Sequence, residues 1–381
     1  MDNVQQRGEG GFSQIGGTVS LLLNELNNHV VDVKRLRCLV QERGIPGEEI
    51  CIRRVVWCLL LGFLPGKREE WKRTILEKGF EYSRFCDDLI LDLQELGNKA
   101  VAGSSTLSDQ GLERQLVSTN DHPLSTHSDS VWNVYFQDKE MREQIDRDVE
   151  RTHPDLNFFS GVYSKDGLAH RSKMSRSLFV YYKLNPGIRY VQGMNELYAV
   201  LYYVIGAASG RNTVDEGLID LVDVDPEVAA FYCFVELMGE FRDNFCVQLD
   251  KSQLGISGRM QQLSQQLKCF DPLLWQHLES SLQIVPQLYA FRWVTTLFTQ
   301  DFALPEVIII WDHMLAVENS RSDYILRICT AMLMLERESL LEADFARAMK
   351  ILQHYPAPDL YHLMKEANSL VDYKSIIILD E

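Results

Sequence analysis

The chain has 381 residues, of which 46% are hydrophobic, so it is long enough to form one large or two ordinary globular domains with a substantial core. Its 54 acidic and 38 basic residues give a net charge of −16, which argues against a nucleic-acid-binding surface of clustered lysine and arginine. The same charge disfavours attraction of the whole molecule to an anionic membrane, although a local basic patch is compatible with it.

The cysteines and histidines give no sign of a metal site. The eight cysteines lie in apolar segments without a C-x-x-C pair, which is typical of reduced thiols in a cytosolic protein. The histidines lack ligand spacing as well. The first residues do not have the order of a signal peptide, and the longest apolar stretch, residues 197–208, is too short to span a bilayer. We therefore expect a cytoplasmic protein without membrane insertion.

The first part of the chain predicts helices on either side of a polar insertion. Residues 1–17 are polar and rich in glycine, which predicts a disordered N-terminal tail. From about Thr18 the apolar residues recur at helical spacing, and strand-like alternation is nearly absent. Residues 99–130 are rich in serine and threonine and predict a flexible insertion. Helical periodicity returns at Val131 and is expected to end before Pro154, because proline disfavours helical geometry in the preceding residue.

The second part of the chain predicts further helices around an acidic loop at 206–225. Ser172 and Asp271 are candidate N-caps, and prolines stand near several predicted first turns. The predicted helices are 172–184, 194–208, 226–245, 257–267, 271–282, 287–300, 305–315, 324–337 and 342–355. The predicted fold class is therefore all-α: an irregular multi-helix domain at 18–335 without a significant β-sheet, followed by C-terminal helices and a tail at 336–381.

The first segment that is suited to chemistry lies at the end of the helix before Pro154. Ile145 and Val149 share one face of this helix, while Asp148 and Arg151 are neighbours on its surface. Arg151 stands in the last turn, where a cation suits the helix dipole and a guanidinium can extend beyond the helix end. Taken alone, this pattern is more typical of an ordinary exposed ion pair, because such pairs are common on helices.

The second segment is a loop around Gln192. Pro186 and Gly187 break the preceding helix, and Gly193 leaves the backbone beside Gln192 free of a side chain. A glutamine on such a loop can accept one hydrogen bond and donate another, which is what orienting a water molecule requires. The alternative is that Gln192 and Asn195 are local caps of the next helix.

Both segments belong to an ordered set of short motifs: Gly44-Ile-Pro46, Arg53-Arg-Val-Val-Trp57, Leu60-Leu-Gly62, Ile145-x-x-Asp148-x-x-Arg151-Thr152, Tyr190-x-Gln192-Gly-Met194, Tyr289-Ala-Phe-Arg-Trp293 and Ile310-Trp-Asp312. Together they resemble the TBC domain family of Rab GTPase-activating proteins, in particular its short single-domain members. The resemblance covers residues 44–312, and its two central motifs rarely occur together by chance.

The resemblance implies that Arg151 is an arginine finger and Gln192 a glutamine finger. The chain is then expected to accelerate GTP hydrolysis by a Rab-family small GTPase in its GTP-bound state, as part of vesicle trafficking. GTP and Mg²⁺ are expected on the partner, with no intrinsic cofactor, no metal site and no independent reaction on a small molecule. Recruitment to endomembranes is expected to occur through the Rab.

Supporting or GTPase-binding roles are implied for six further residues: Asp148, Thr152, Tyr190, Gly193, Asn195 and Arg176. Asp148 is expected to hold Arg151 in position before the GTPase docks. For Arg176 a structural role is an equal alternative. His153 departs from the aromatic residue that the family commonly has at this position, next to its proline.

The remaining motif residues are interpreted as scaffold. Trp57, Trp293 and Trp311 are expected to fill the core. Arg292 and Asp312 are expected to satisfy buried helix ends or to pair with each other.

The main rival interpretation is a Rab-binding scaffold or effector that uses the same fold without accelerating hydrolysis. The presence of both fingers favours catalysis over this rival. A helical adaptor unrelated to GTPases would leave the ordered motifs unexplained. An enzyme that acts on a small molecule has less support still, because the sequence has no nucleophile elbow, phosphate-cradling glycine loop or metal signature.

Overall fold

The fold is built from helices. The computed structural model describes residues 9–47, 49–90, 131–160, 165–208, 224–245, 255–318 and 320–370. In these ranges there is no β-strand, and an isolated antiparallel bridge joins Val30 and Lys67. The predicted all-α fold class is therefore confirmed. The predicted insertion at 99–130 and most of the predicted acidic loop at 206–225 lie outside the described residues.

The described residues form sixteen α-helices, here α1 to α16 in chain order: Glu9–Leu26, Val33–Arg43, Ile50–Leu60, Trp71–Leu89, Val131–Arg151, Lys165–Leu184, Met194–Gly206, Pro226–Phe241, Ile256–Phe270, Pro272–Trp275, Ala290–Thr295, Leu304–Ala316, Arg321–Leu335, Arg337–Leu341, Phe345–Gln353 and Leu360–Ser369. Short 3₁₀ or π-helical turns precede or follow some of them: Arg68–Glu70, Arg242–Phe245, Gln276–Ser281 and Pro286–Leu288. None of the described helices is long and apolar enough to cross a membrane.

The helices divide into two compact units. The large unit comprises Met1–Lys78 and Val191–Glu381, and the small unit is Gly79–Tyr190. In the large unit α7 packs against α8, and α12 against α2 and α3, around a core that includes the buried side chains of Trp57, Trp293 and Trp311. The predicted core role of these tryptophans is confirmed. In the small unit α5 packs against α6.

The N-terminal part of the chain contains two helical segments that the sequence did not predict. Helix α1 begins at Glu9, so the tail predicted at 1–17 is wrong for residues 9–17, while residues 1–8 lie outside the described part. Helical geometry continues through Gly16 and Gly17 although glycine costs about 1 kcal/mol in a helix interior. Helix α2 was not predicted.

Two predicted helix limits are also wrong. Helix α6 begins well before Ser172, which therefore lies inside a helix rather than at its N-cap. The single helix predicted at 287–300 is instead a 3₁₀ turn, the short helix α11 and a stretch in which Leu297 and Phe298 have φ angles of 48° and 68°. Both side chains are buried, and Trp311 donates from Nε1 to the Leu297 carbonyl at 3.0 Å. Tertiary packing, not local propensity, thus determines this backbone.

Candidate functional site

The arginine predicted as a finger ends helix α5. Ile145 and Val149 are buried on the inner face of this helix, as their spacing predicted. Arg151 is its last residue, and 67% of the Arg151 side chain is exposed. Thr152 follows, buried, and its Oγ1 donates to the Asp148 carbonyl at 2.8 Å. The helix end is therefore anchored at Thr152, while the guanidinium reaches solvent.

His153, two residues after Arg151, has an unusual backbone conformation. Its φ angle of 42° is in the left-handed region, which is uncommon for residues other than glycine but less so for histidine. The imidazole stacks on the ring of Phe159, with 6.0 Å between ring centroids. Burial lowers the pKa of His153, so the ring is neutral at pH 7. The imidazole therefore packs on Phe159 as an aromatic ring.

A buried carboxylate contacts the Arg151 guanidinium. Asp148 is 4% exposed and accepts hydrogen bonds from Arg151 Nη2 and from Tyr190 Oη, the latter at 2.9 Å. The Asp148–Arg151 contact agrees with the spacing of the two residues in the sequence. The Tyr190 contact joins residues 42 positions apart and was not predicted. Because hydrogen bonds to an ionised group are stronger than neutral ones, this arrangement restricts the orientation of the guanidinium before any partner binds.

Gln192 lies in the large unit, in the turn that precedes helix α7. Its side chain is exposed. Gly193 occupies the N-cap position with a φ angle of 107°, a conformation that favours glycine. The Gly193 N–H donates to Asn195 Oδ1 at 3.0 Å. Asn195 therefore makes a local hydrogen bond to the backbone at the start of helix α7. The Gln192 side chain is exposed to solvent.

The predicted site residues fall into two groups. Arg151, Asp148, Thr152 and Tyr190 meet in the small unit, and Arg176 is exposed on helix α6 of the same unit. The residues around Gln192 belong to the large unit, and the boundary between the units follows Tyr190, within the Tyr190-x-Gln192 motif. That Arg151 and Gln192 act together on one nucleotide stays a prediction.

The scaffold motifs pair differently from the prediction. Asp312 accepts from Arg53 Nε at 3.0 Å and from Trp57 Nε1 at 2.8 Å, all within the buried core. Arg292 instead donates from Nε to Asp301 at 3.0 Å. Of the two alternatives predicted for Arg292 and Asp312, pairing with each other is therefore wrong. Arg53 and Asp312 are 259 positions apart, and no local pattern in the sequence connects them.

Known proteins match this chain over most of its length. The Rab-GTPase-TBC domain matches residues 50–341. The chain is 35% identical to TBC1 domain family member 13 of Homo sapiens, over 87% of this chain and 92% of that protein. It is 28% identical to TBC1 domain family member 5 of Mus musculus, over 98% of this chain and 47% of that protein. The crystal structure of the Ypt/Rab-GAP domain of Gyp1p has a similar fold, with a TM-score of 0.69 and 23% identity over 95% of this chain and 99% of that chain. The family predicted from the ordered motifs is thus confirmed: the chain belongs to the Rab-GTPase-TBC domain family.

Proposed function

We propose that this protein is a GTPase-activating protein for a Rab-family GTPase in its GTP-bound state, to which it supplies Arg151 and Gln192. The observation that carries the proposal is the arrangement at the end of helix α5. An exposed guanidinium is held there by a buried carboxylate, Asp148, which a second donor also binds. An ordinary surface ion pair has no need of a buried partner fixed in this way.

The guanidinium suits the chemistry of GTP hydrolysis. Negative charge develops on phosphoryl oxygens as the terminal phosphate leaves, and a planar cation placed in a dry interface stabilises this charge more in the transition state than in the ground state. Arg151 is the last residue of its helix and 67% of its side chain is exposed, so the guanidinium is accessible to a partner's nucleotide site. The proposed role of Arg151 is therefore stabilisation of the transition state.

Gln192 is proposed to orient the attacking water. A carboxamide accepts a hydrogen bond through its oxygen and donates through its nitrogen, so it can hold a water molecule and contact the partner's backbone at once. GTP and Mg²⁺ are carried by the GTPase in this scheme, and the chain contributes no cofactor.

The proposed protein acts in the cytoplasm in vesicle trafficking, and the Rab recruits it to endomembranes.

The proposal is tested by single-turnover GTP hydrolysis on a panel of purified Rab proteins. We expect the wild-type chain to accelerate hydrolysis by at least one Rab under conditions in which the nucleotide is already bound. Binding of GTP-loaded Rab is measured in parallel. Binding without acceleration on every Rab would favour the alternative of a non-catalytic scaffold or effector, and absence of both would contradict either function.

Replacing Asp148 by alanine tests the positioning of the finger. We expect the stimulated rate to fall roughly 10- to 100-fold, because Arg151 remains present but its orientation is no longer fixed. The concentration of chain that gives half-maximal stimulation should change less than the maximal rate. The measurement is single-turnover hydrolysis at saturating chain, with the thermal unfolding midpoint as a check that the variant folds.

The matched control is Tyr190→Phe, which removes one donor to Asp148 and leaves the Arg151–Asp148 contact in place. Loss of one hydrogen bond should reduce the rate only by about tenfold or less. Equal losses for Asp148→Ala and Tyr190→Phe would contradict the proposed clamp, as would a fully active Asp148→Ala variant.

Gln192 is tested with a partner that lacks its own catalytic glutamine. The wild-type chain should still stimulate such a Rab, whereas Gln192→Ala should lose stimulation on the order of 100-fold, the scale for losing one preorganised donor. Gln192→Glu is the matched variant, since it keeps the size of the side chain but removes its N–H donors. Full activity of both variants on this Rab would refute the water-orienting role.

A further inference from the structure

The large unit contains a cleft of about 760 Å³ to which none of the predicted site residues contributes. Helices α2, α12, α13 and α16 supply most of its walls. Small-molecule sites commonly have volumes of about 300 to 1,000 Å³. The cleft is thus large enough for a compact ligand, and of the TBC motifs only Gly44-Ile-Pro46 contributes to its lining.

The cleft is basic although the protein is acidic. Five cationic side chains line it against two carboxylates, in a chain of net charge −16. The cations are Lys34, Arg37, Arg43, Arg327 and Lys365. Lys34 forms an ion pair with Glu318 at 3.3 Å, and Glu42 is the second carboxylate. Among the described residues, the other four cations have no carboxylate within ion-pair distance. The local basic patch that composition left open is therefore present here.

Two of these cations are fixed by the backbone. Arg37 Nη1 donates to the carbonyls of Leu315 and Val317 at 2.7 and 2.9 Å, and Arg327 Nη1 donates to the Leu370 carbonyl at 3.3 Å. Burial lowers the pKa of Arg37 and the like charge of Arg321 lowers it further, while the carboxylate of Glu318 opposes the shift. The carbonyls that hold these side chains are neutral, and five cations against two carboxylates leave the lining of the cleft with a net positive charge.

A buried polar side chain also lines the cleft. His313, on helix α12, is 8% exposed, and its Nδ1 has no hydrogen-bond partner among the described protein atoms. Burial lowers the pKa of His313 to about 4, so the ring is neutral at pH 7. Buried polar atoms are rarely left without a hydrogen-bond partner in folded proteins, so this nitrogen calls for a partner that the described protein atoms do not supply. This is an observation independent of the cations.

We propose that the cleft binds a ligand that carries more than one phosphate group, such as an inositol phosphate or the headgroup of a phosphoinositide. Three of the four cations without a carboxylate partner are arginines, whose planar donors match phosphate oxygens. One phosphate carries about −1.5 to −2 charges at neutral pH, so it cannot neutralise four cations, whereas two or three phosphates can. The proposal rests on the cleft alone and is independent of the GTPase-activating function.

The test uses the full chain and two probes. Binding of inositol 1,4,5-trisphosphate is measured by isothermal titration calorimetry. Cosedimentation is measured with vesicles that contain phosphatidylinositol 4,5-bisphosphate and with phosphatidylserine vesicles of equal total charge. The cleft variant is Arg43→Gln with Lys365→Gln, two exposed positions. The matched control is Lys72→Gln with Arg73→Gln, which removes the same charge from exposed positions of α4 that do not line the cleft.

We expect saturable binding of the trisphosphate, weakened roughly fivefold for each cation removed from the cleft and unchanged in the control. Binding of phosphoinositide vesicles as well would identify a lipid headgroup as an accessible source of the ligand, and binding of the trisphosphate alone would identify a soluble one. The proposal is overturned if neither probe binds, if the control weakens binding as much as the cleft variant, or if phosphatidylserine vesicles bind equally well. Arg327→Gln, tested in the same way, gives a second variant should the double one fail to fold.

Discussion

Replacing Arg151 by alanine is expected to lower the stimulated rate of GTP hydrolysis by about 10³- to 10⁵-fold, the range found for arginine fingers in other GTPase activators. This factor corresponds to roughly 4 to 7 kcal/mol of activation free energy at about 1.4 kcal/mol per decade. The loss should appear in the maximal single-turnover rate. Binding of GTP-loaded Rab should change much less, because the finger acts on charge that develops only during the reaction.

Two variants make this expectation specific. Arg151→Lys keeps a positive charge but loses the planar fork, so it should also fail to restore the rate. Arg147→Ala removes an exposed arginine one turn before Arg151 in the same helix and should leave the rate nearly unchanged. A rate for Arg151→Ala within a few-fold of wild type, or an equal loss for Arg147→Ala, would reject the assignment.

The parts of the site that could be predicted from the sequence are the local ones. Asp148 and Arg151 are three positions apart on a helix, so helical geometry alone brings their side chains together. The end of the helix at Arg151 follows from Pro154. Gly193 marks the turn before helix α7 because a φ angle of 107° favours glycine. These features depend only on short stretches of chain.

The parts that were missed depend on distant segments or on conformations without a residue signature. Tyr190 reaches Asp148 across 42 positions, which no helical or strand period relates. His153 and Arg189 adopt positive φ angles although neither is glycine, so the sequence does not mark those turns. Helix α2 does show apolar spacing at Leu36 and Val40, but polar residues occupy most of its length. Several of these polar residues line the cleft, which only the structure reveals.

Replacing Asp312 by alanine is expected to lower the free energy of unfolding by about 3 to 5 kcal/mol, because it leaves the charge of Arg53 buried without a counter-ion and Trp57 Nε1 without its acceptor. Arg53 also donates from Nη2 to the Ile45 carbonyl at 2.8 Å, so the loop before α3 depends on the same guanidinium. Urea unfolding at pH 7 measures the change. Tryptophan fluorescence is a suitable signal, since Trp57 stacks on Trp311 beside the pair, with 5.9 Å between centroids.

The matched control replaces both charges, Arg53→Met with Asp312→Leu. Burial raises the pKa of Asp312 to about 6 even though Arg53 and Trp57 oppose the rise. The desolvation free energy of this carboxylate is therefore larger than the stabilisation that Arg53 and Trp57 give it. The pair as a whole should therefore stabilise the fold little, and the double variant should be more stable than Asp312→Ala. The remaining loss is expected at about 1 to 3 kcal/mol, from polar groups of the core left without partners. A double variant no more stable than the single one would mean that the hydrogen bonds, rather than the uncompensated charge, account for the loss.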